Sequence, residues 1–328
     1  MKRRCLAGLL WATLLPAAHF DLLVRNARVL DGAGNPWFRA DIGVRAGRLA
    51  VVGSLGESAT ADRVIDAAGR IVTPGFIDVH THIEGAVEKV PRGDNYLLDG
   101  VTTVITGNCG GSTVKLNEWF ATLEKLGIGL NIGTLIGHNS VRREVMGTAN
   151  RKATPEEITR MQEIIEQAMR EGAVGFSTGL IYIPGTYSDT GEVVALAKAA
   201  AKYGGTYASH MRDEGEKIVE AIDEAVRAGK EAGMPVQISH FKIDNRRLWG
   251  ASVKSLALVE KYRSEGVDVV IDQYPYDHSS TNLGITLPSW ALADGEAAIK
   301  ERLSSPATRA RVKREFEGAI ARARLRQR

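Results

Sequence analysis

Apolar positions in the first part of the chain form short runs that turn residues interrupt. Between residues 20 and 72 these runs are FDLLVRNARVLD, ADIGVRAGRLAVVG and RVIDAAGRIV. They are rich in Val, Ile and Leu, and Gly, Asn and Asp break them at intervals typical of short strands joined by turns. The pattern predicts a small β subdomain over residues 19–70.

From residue 71 onwards, continuous apolar runs alternate with helical segments. The apolar runs are GFIDVH, VTTVITGN, LNIGTLIG, AVGFSTG, GTYASH, PVQISH and VDVVIDQY. One helical segment between them, TPEEITRMQEIIEQAMREG, begins with a capping box in which Thr154 is the N-cap and Glu157 its partner. Apolar strands that alternate with helices predict a parallel sheet covered by helices.

The predicted fold class is therefore α/β. Seven strands over residues 71–288 are nearly those of a TIM-type (β/α)8 barrel, and the pattern lacks an eighth strand. Residues 289–328 have a helical, Arg- and Ala-rich pattern, which indicates either the start of an insertion or a truncated end.

The composition excludes several classes of protein but does not identify one. The 328 residues are 44% hydrophobic and 25% charged, which excludes collagen, low-complexity disorder and a disulfide-stapled miniprotein. Ten basic and three acidic residues lie between Lys300 and Arg328, although the whole chain carries only +3. The body is thus mildly acidic with a basic tail, and neither a nucleic-acid nor a membrane partner is expected.

The N-terminus, MKRRCLAGLLWATLLPAAHF, has three basic residues before an uncharged apolar run. This is the pattern of a signal peptide over residues 1–18, which predicts a periplasmic or secreted protein. The alternatives are a misassigned start codon or the frayed N-terminus of a cytoplasmic protein. The only cysteines are Cys5 and Cys109, so removal of the signal leaves Cys109 alone and excludes an intramolecular disulfide.

Residues that bind metals follow the apolar strands, where the active sites of parallel barrels lie. Because side chains alternate along a strand, His80 and His82 point to the same side and into the barrel. Two further strands end in His210 and His240, and another leads into Cys109. This set of imidazoles with one thiolate predicts a Zn²⁺ site.

Several of these residues allow other interpretations. Cys109 is also a candidate nucleophile beside a histidine, and GNCGGS around it is a weak candidate for a phosphate-binding loop. His138 ends a strand too, but a hydrogen bond to a backbone carbonyl explains it equally. Lys242 and Tyr182 are candidates for substrate binding or for surface and packing positions. Arg212, Asp213 and Glu214 either orient a histidine or cap the next helix.

The motifs resemble a known family. TPGFIDVHTH is similar to the opening of amidohydrolases, and a further set resembles the D-aminoacylase (N-acyl-D-amino-acid deacylase) group of that superfamily: GVTTVITGNCGGS, GFSTGLIYIPGTYS, ASHMRDEG, ISHFK and IDQYPY. The resemblance implies a TIM-barrel metallohydrolase with a small β-sandwich built from both chain ends. It implies that the tight zinc ligands are Cys109, His210 and His240, that a second, weaker metal site includes His80 and His82, and that the substrate contacts include Lys242 and Tyr182.

Two departures from the family pattern bear on activity. The fourth strand, GFSTGL, has no lysine, which argues against dihydroorotase-like and hydantoinase-like enzymes. The family's catalytic aspartate follows an eighth strand, and no aspartate after Pro288 lies in a strand pattern, since Asp294 belongs to the start of a helix. The catalytic residue is therefore unassigned. The family's later carboxylate-binding arginine and the C-terminal part of its sandwich are also missing.

The function implied by the resemblance is zinc-dependent hydrolysis of N-acyl-D-amino acids to a carboxylate and a free D-amino acid. The alternatives are an amidohydrolase of cyclic amides and a non-catalytic metal-binding fragment. Open sheet edges and the missing carboxylate predict zinc binding without useful turnover, and soluble aggregates. Ordinary turnover would mean that Asp272, Asp277 or another carboxylate acts as the base.

Overall fold

A computed structural model describes residues 18–325, with side chains described up to residue 318 and at Ile320. The predicted signal peptide over residues 1–18, with Cys5, falls almost wholly outside this range. Within it, no helix has both the length and the apolar character needed to cross a membrane. The chain divides into two compact units, and the boundary lies between Gly75 and Phe76.

The N-terminal unit is one mixed five-stranded sheet. Its strands are β1 (His19–Val29), β2 (Phe38–Arg45), β3 (Arg48–Gly53), β4 (Thr60–Asp66) and β5 (Ile71–Val72). The order is β3-β2-β1-β4, with β5 also paired to β1, and β1 runs antiparallel to β2 but parallel to β4 and β5. Ala46 and Gly47 both have positive φ between β2 and β3, as a two-residue hairpin of the primed type requires.

The second unit contains seven parallel strands that follow the order of the chain. They are β6 (Phe76–Asp78), β7 (Val101–Thr106), β8 (Asn131–Gly137), β9 (Gly175–Gly179), β10 (Thr206–His210), β11 (Val236–Ile238) and β12 (Val269–Ile271). Each lies within an apolar run that predicted a strand, and the predicted α/β fold class is confirmed. Residues 18–325 contain no eighth strand of this sheet.

Nine helices occur in the described residues of this unit. They are α1 (Asp94–Leu98), α2 (Leu116–Leu126), α3 (His138–Met146), α4 (Pro155–Arg170), α5 (Thr190–Ala201), α6 (Ile218–Ala232), α7 (Ser252–Ser264), α8 (Glu296–Ser304) and α9 (Pro306–Leu325). The capping box predicted for α4 is present: Thr154 accepts from the Glu157 N–H, and Glu157 accepts from the Thr154 N–H.

The main core lies between the sheet and the helices that cover it. Its buried members include Ile165 of α4, Phe176 of β9, Leu196 of α5, Tyr207 of β10 and Ile222 of α6. Burial of such side chains contributes about 1.5–3 kcal/mol each to the stability of the layer that contains β8–β11. The strand ends that follow are therefore fixed positions from which side chains can be presented.

The two outer strands of this sheet meet at their carboxyl ends. His80, just after β6, places its Nδ1 3.1 Å from an oxygen of Asp272, just after β12. No ladder pairs β6 with β12 in the described residues, and Phe76, Ile77, Val270 and Ile271 are exposed on these edges. The sheet thus curls until its first and last strands contribute to one cluster of side chains.

Candidate metal centre

Four side chains converge beyond the strand ends, around Nε2 of His240. The Sγ atom of Cys109 lies 3.6 Å from this nitrogen and 3.4 Å from Nε2 of His80. Nδ1 of His210 lies 2.7 Å from the same His240 nitrogen. The strands β6, β7, β10 and β11 each supply one of these residues, which lie far apart in the sequence.

The backbone at two of these residues is strained. Cys109 has φ 52° and His240 has φ 38°, in the left-handed region that residues other than glycine seldom occupy. Strained residues cluster at functional sites because their surroundings hold them there. Gly179, at the end of β9, allows this at Cys109: a Cβ on Gly179 would lie 2.1 Å from the Cys109 carbonyl oxygen.

The electrostatics of the cluster suit a cation. Burial raises the pKa of Cys109 to about 12, and the negative charges of Asp272 and Glu214 add to the shift. Burial, with the neighbouring His240, lowers the pKa of His210 to about 3. At neutral pH His210 is therefore a neutral imidazole with a free lone pair, and the thiol is the group that must lose a proton to bind a metal.

The donor set fits zinc. One thiolate and neutral imidazoles are the ligands that Zn²⁺ prefers. Nε2 of His210 is buried without a hydrogen-bond partner, and such buried nitrogens are ordinarily satisfied. Within the described residues, two groups of three ligand atoms lie within 4.8 Å of one another: His80, Cys109 and His240, and His210, Glu214 and His240.

His82 lies beside this centre rather than in it. Its ring centroid is 5.3 Å from that of His80, but it belongs to neither group of ligand atoms, and both histidines follow the end of β6 at Asp78. His80, which the resemblance assigned with His82 to a weaker site, instead contacts Cys109 directly. The division of the histidines between two metal sites stays a prediction.

Lys242 and Tyr182 border the centre, where the sequence predicted substrate contacts. Lys242 forms an ion pair with Glu214 at 2.7 Å and contacts Nδ1 of His240 at 3.1 Å. The ring centroid of Tyr182 lies 4.6 Å from that of His210. Burial raises the pKa of Tyr182, so its hydroxyl stays protonated and bonds with Thr281.

The charged run after β10 divides between three tasks. Arg212 pairs with Glu224 through two nitrogens at 2.9 Å each, and Asp213 accepts the backbone N–H groups of Gly215 and Lys217 ahead of α6. Glu214 alone of the three contacts a histidine, with an oxygen 2.8 Å from Nδ1 of His240. Of the two interpretations of this run, orientation of a histidine applies to Glu214.

Asp272, which the sequence offered only as a stand-in base, contacts His80 and the His240 backbone, and sequence reasoning missed these contacts. Its carboxylate accepts from Gln237 and from the His240 N–H at 2.6 Å each, and it faces Nδ1 of His80. Burial alone would raise the pKa of Asp272, but these hydrogen bonds, that of His80 foremost, lower it. The signal was available, because Asp272 follows an apolar strand just as the histidines do.

His138 takes no part in this centre. It is fully buried, and its Nε2 lies 2.9 Å from a carboxylate oxygen of Glu192, which Arg142 also contacts at 2.9 Å. Its partner is thus a carboxylate and not the backbone carbonyl considered from the sequence. The network joins α3 to α5 behind the sheet.

A parallel α/β sheet with a thiol and imidazoles at its strand ends is an arrangement suited to metal binding in proteins of the barrel class. The family model described as the amidohydrolase family matches residues 63–300. This chain belongs to the amidohydrolase family.

The comparisons point to one branch of that family. The chain is 38% identical to a D-aminoacylase of Alcaligenes xylosoxydans xylosoxydans in an alignment 297 residues long that covers 80% of this chain and 59% of the relative. A solved D-aminoacylase structure, concerned with its binuclear metal centre, matches with TM-score 0.74 and 37% identity over 78% of this chain and 59% of that one.

A second solved structure adds a bound metal and a ligand. It is an N-acyl-D-glutamate deacylase of Bordetella bronchiseptica complexed with zinc and a phosphonate inhibitor that mimics the tetrahedral intermediate. The match has TM-score 0.74 and 35% identity over 78% of this chain and 59% of that one. This chain therefore spans about three fifths of the length of the relatives it matches.

Proposed function

We propose that the centre serves the zinc-dependent hydrolysis of N-acyl-D-amino acids. The observation that carries the proposal is the position of the Cys109 Sγ atom and of Nδ1 of His210, which lie 3.6 Å and 2.7 Å from Nε2 of His240. The relatives named as a D-aminoacylase and an N-acyl-D-glutamate deacylase support the reaction.

Cys109, His210 and His240 would hold one zinc ion, and His80 and His82 would take part in a second, weaker site. When bound, zinc supplies Lewis-acid chemistry that polarises an amide carbonyl. The remaining roles belong to this chain's own side chains. Asp272 holds the ring of His80, and with three donors on its two oxygens it is a poor acceptor for a further proton.

Two features beside the metal centre suit an N-acyl amino acid. The ammonium of Lys242 borders the cavity that Tyr182, His210 and His240 also line, and it would receive a free α-carboxylate there. An adjoining cavity of about 310 Å³ has no charged residue among its lining residues, which combine five aliphatic side chains with Tyr182, Thr186, Asn282, Gly284 and Ser289; the aliphatic ones are Ile181, Ile183, Ile285, Leu287 and Leu292. We infer that the substrate side chain is neutral and apolar rather than acidic.

The alternative of cyclic-amide hydrolysis has no support at the fourth strand. The strand β9 (Gly175–Gly179) carries no lysine that could bridge two metal ions. We also propose export to the periplasm or beyond, on the basic and apolar pattern of the first 18 residues.

The test is the binding of stereoisomers to the zinc-loaded chain. Isothermal titration with N-acetyl-D-methionine and N-acetyl-L-methionine should show at least tenfold tighter binding of the D isomer, and a chelator should abolish it. N-acetyl-D-glutamate should bind more weakly than the methionine compound. Equal affinity for the two isomers, or tighter binding of hydantoin, would contradict the proposal.

A further inference from the structure

One carboxylate lies between the metal centre and the lysine at its border. Glu214 is in the segment between β10 and α6, and its side chain is 7% exposed. Oε1 lies 2.8 Å from Nδ1 of His240, and Nζ of Lys242 contacts both oxygens, Oε1 at 2.8 Å and Oε2 at 2.7 Å. A buried carboxylate with two such partners is fixed in place, and it fixes both partners in turn.

The two nitrogens of the His240 ring face different groups. Nε2 faces Cys109 and His210, while Nδ1 faces Glu214. When Nδ1 carries the proton and donates it to Glu214, the lone pair on Nε2 points to the thiol and the second imidazole. Carboxylates that hold ligand histidines in this way orient the ring and raise its basicity.

Glu214 has a second conceivable role, as a ligand with His210 and His240. The position of Lys242 argues against it. The ammonium lies 2.7 Å from the carboxylate, 3.1 Å from Nδ1 of His240 and 3.1 Å from the His240 carbonyl oxygen. A cation already occupies that side of the ring, and a divalent ion beside it would meet strong repulsion.

We propose that Glu214 is a positioning residue that couples the zinc centre to Lys242, by orienting His240 and by neutralising the ammonium beside it. The inference rests on the proposed function for the identity of the metal. It adds that metal affinity depends on a residue that is not a ligand, and that the loss of Glu214 acts partly through Lys242.

This coupling makes a prediction that a purely structural role does not. The change Glu214→Gln removes the negative charge and leaves Lys242 as an uncompensated cation against His240. Zinc affinity should fall about 10- to 100-fold, the usual effect of losing a partner of a ligand histidine. Adding Lys242→Met to Glu214→Gln should recover part of that loss, although it removes a further polar contact.

The experiment measures zinc affinity by competition with a chromogenic chelator on the full chain at pH 7.5. The variants are Glu214→Gln, Glu214→Gln with Lys242→Met, Glu214→Asp and, as a matched control, Glu224→Gln. Glu224 is also an ion-paired carboxylate, but it contacts Arg212 and Thr190 and no ligand histidine. We expect wild-type affinity for Glu224→Gln, a loss for Glu214→Gln, partial recovery in the double variant and an intermediate loss for Glu214→Asp.

Two results would separate the failure of this inference from that of the proposed function. If the wild type binds no zinc, the proposed function is wrong. The coupling role of Glu214 is wrong if the wild type binds zinc and both Glu214→Gln and Glu214→Asp bind it as tightly as the wild type does. It is also wrong if adding Lys242→Met to Glu214→Gln lowers zinc affinity further. Should Glu214→Gln fail to fold, the zinc affinity of Glu214→Asp relative to the wild type decides the question.

Discussion

At the scale of single residues, the metal centre combines two strained backbone positions with a thiol that is protonated when no metal is bound. Cys109 and His240 hold positive φ, and the His240 N–H is fixed by Asp272 at 2.6 Å. The thiol of Cys109 is protonated at neutral pH because burial raises its pKa to about 12. Binding of a divalent cation must therefore displace this proton.

The displaced proton predicts how zinc binding depends on pH. Between pH 6 and 8 the Cys109 thiol is protonated in the metal-free protein, so its deprotonation should strengthen zinc affinity about tenfold for each unit of rising pH. Chelator competition at several pH values measures the slope. For the residual zinc binding of Cys109→Ala, the slope of affinity against pH should be smaller by one proton per zinc ion. Equal slopes for the variant and the wild type would show that the thiol is not a ligand.

Lys242 should contribute to recognition of a free carboxylate. A charge-assisted contact of this kind stabilises binding by about 1.5–3 kcal/mol, which is tenfold or more in affinity. Lys242→Ala should therefore weaken binding of N-acetyl-D-methionine about tenfold and leave that of N-acetyl-D-methioninamide nearly unchanged, as titration calorimetry can measure. Equal losses for the acid and the amide would indicate that Lys242 is structural.

Much of the centre was predictable from the sequence, and the reason is local. His80, Cys109, His210 and His240 each follow an apolar run, so the strand pattern alone places them at one edge of the sheet. The contact of His80 with Asp272 was not predictable, because it joins residues 192 positions apart and depends on how far the sheet curls. The pairing of Lys242 with Glu214 likewise depends on the paths of two loops.

At the scale of elements, strong local signals predicted structure well. Helix α4 begins after Thr154 because the threonine side chain and Glu157 satisfy two N–H groups that the helix leaves free. The order of the N-terminal strands in their sheet was harder to predict from the sequence. Their apolar runs predicted strands, but the order β3-β2-β1-β4 depends on pairings between residues up to 41 positions apart.

The cap of α4 should contribute measurably to stability. Thr154→Ala removes the acceptor for the Glu157 N–H and should lower the free energy of unfolding by about 1 kcal/mol. Denaturant titration at neutral pH measures this, with Thr159→Ala, a threonine within the same helix, as the control. A loss no greater than that of the control would show that the cap is not stabilising.

Glu157, the partner of Thr154 in the capping box, predicts that the stability of the protein depends on pH. A hydrogen bond from Arg151, then that of the Thr154 N–H, lowers the pKa of Glu157 to about 2. Because the folded-state pKa is depressed, the contribution of Glu157 to stability is present above its unfolded pKa near 4.5 and is lost as pH falls towards 2. The stability difference between wild type and Glu157→Gln should shrink over this range, and a constant difference would refute the assignment.

At the scale of the whole molecule, the second unit joins its first and last strands through side chains. Asp272 contacts His80 beyond β6, Gln237 of β11 and the backbone of His240. The metal centre and the closure of the curled sheet thus depend on the same carboxylate. Loss of that carboxylate should therefore disturb both the metal centre and the closure of the sheet.

Asp272→Ala should lower the stability of the metal-free chain. The substitution leaves the buried N–H of His240 and the amide of Gln237 without their acceptor, which costs about 2 kcal/mol. Asp277→Ala is the control, since Asp277 is 90% exposed and surface changes stay within about 0.5 kcal/mol. Equal stabilities of the two variants in denaturant would mean that Asp272 does not join the strands.

The central claim is that Cys109, His210 and His240 bind zinc at the strand ends. Metal analysis of the purified full-length chain, after dialysis against zinc and removal of the excess, tests it most directly. We predict about one zinc per chain for the wild type and for His82→Ala, since His82 lies outside the cluster, and near-complete loss in Cys109→Ala. Unchanged zinc in Cys109→Ala would contradict the ligand assignment and the function proposed from it.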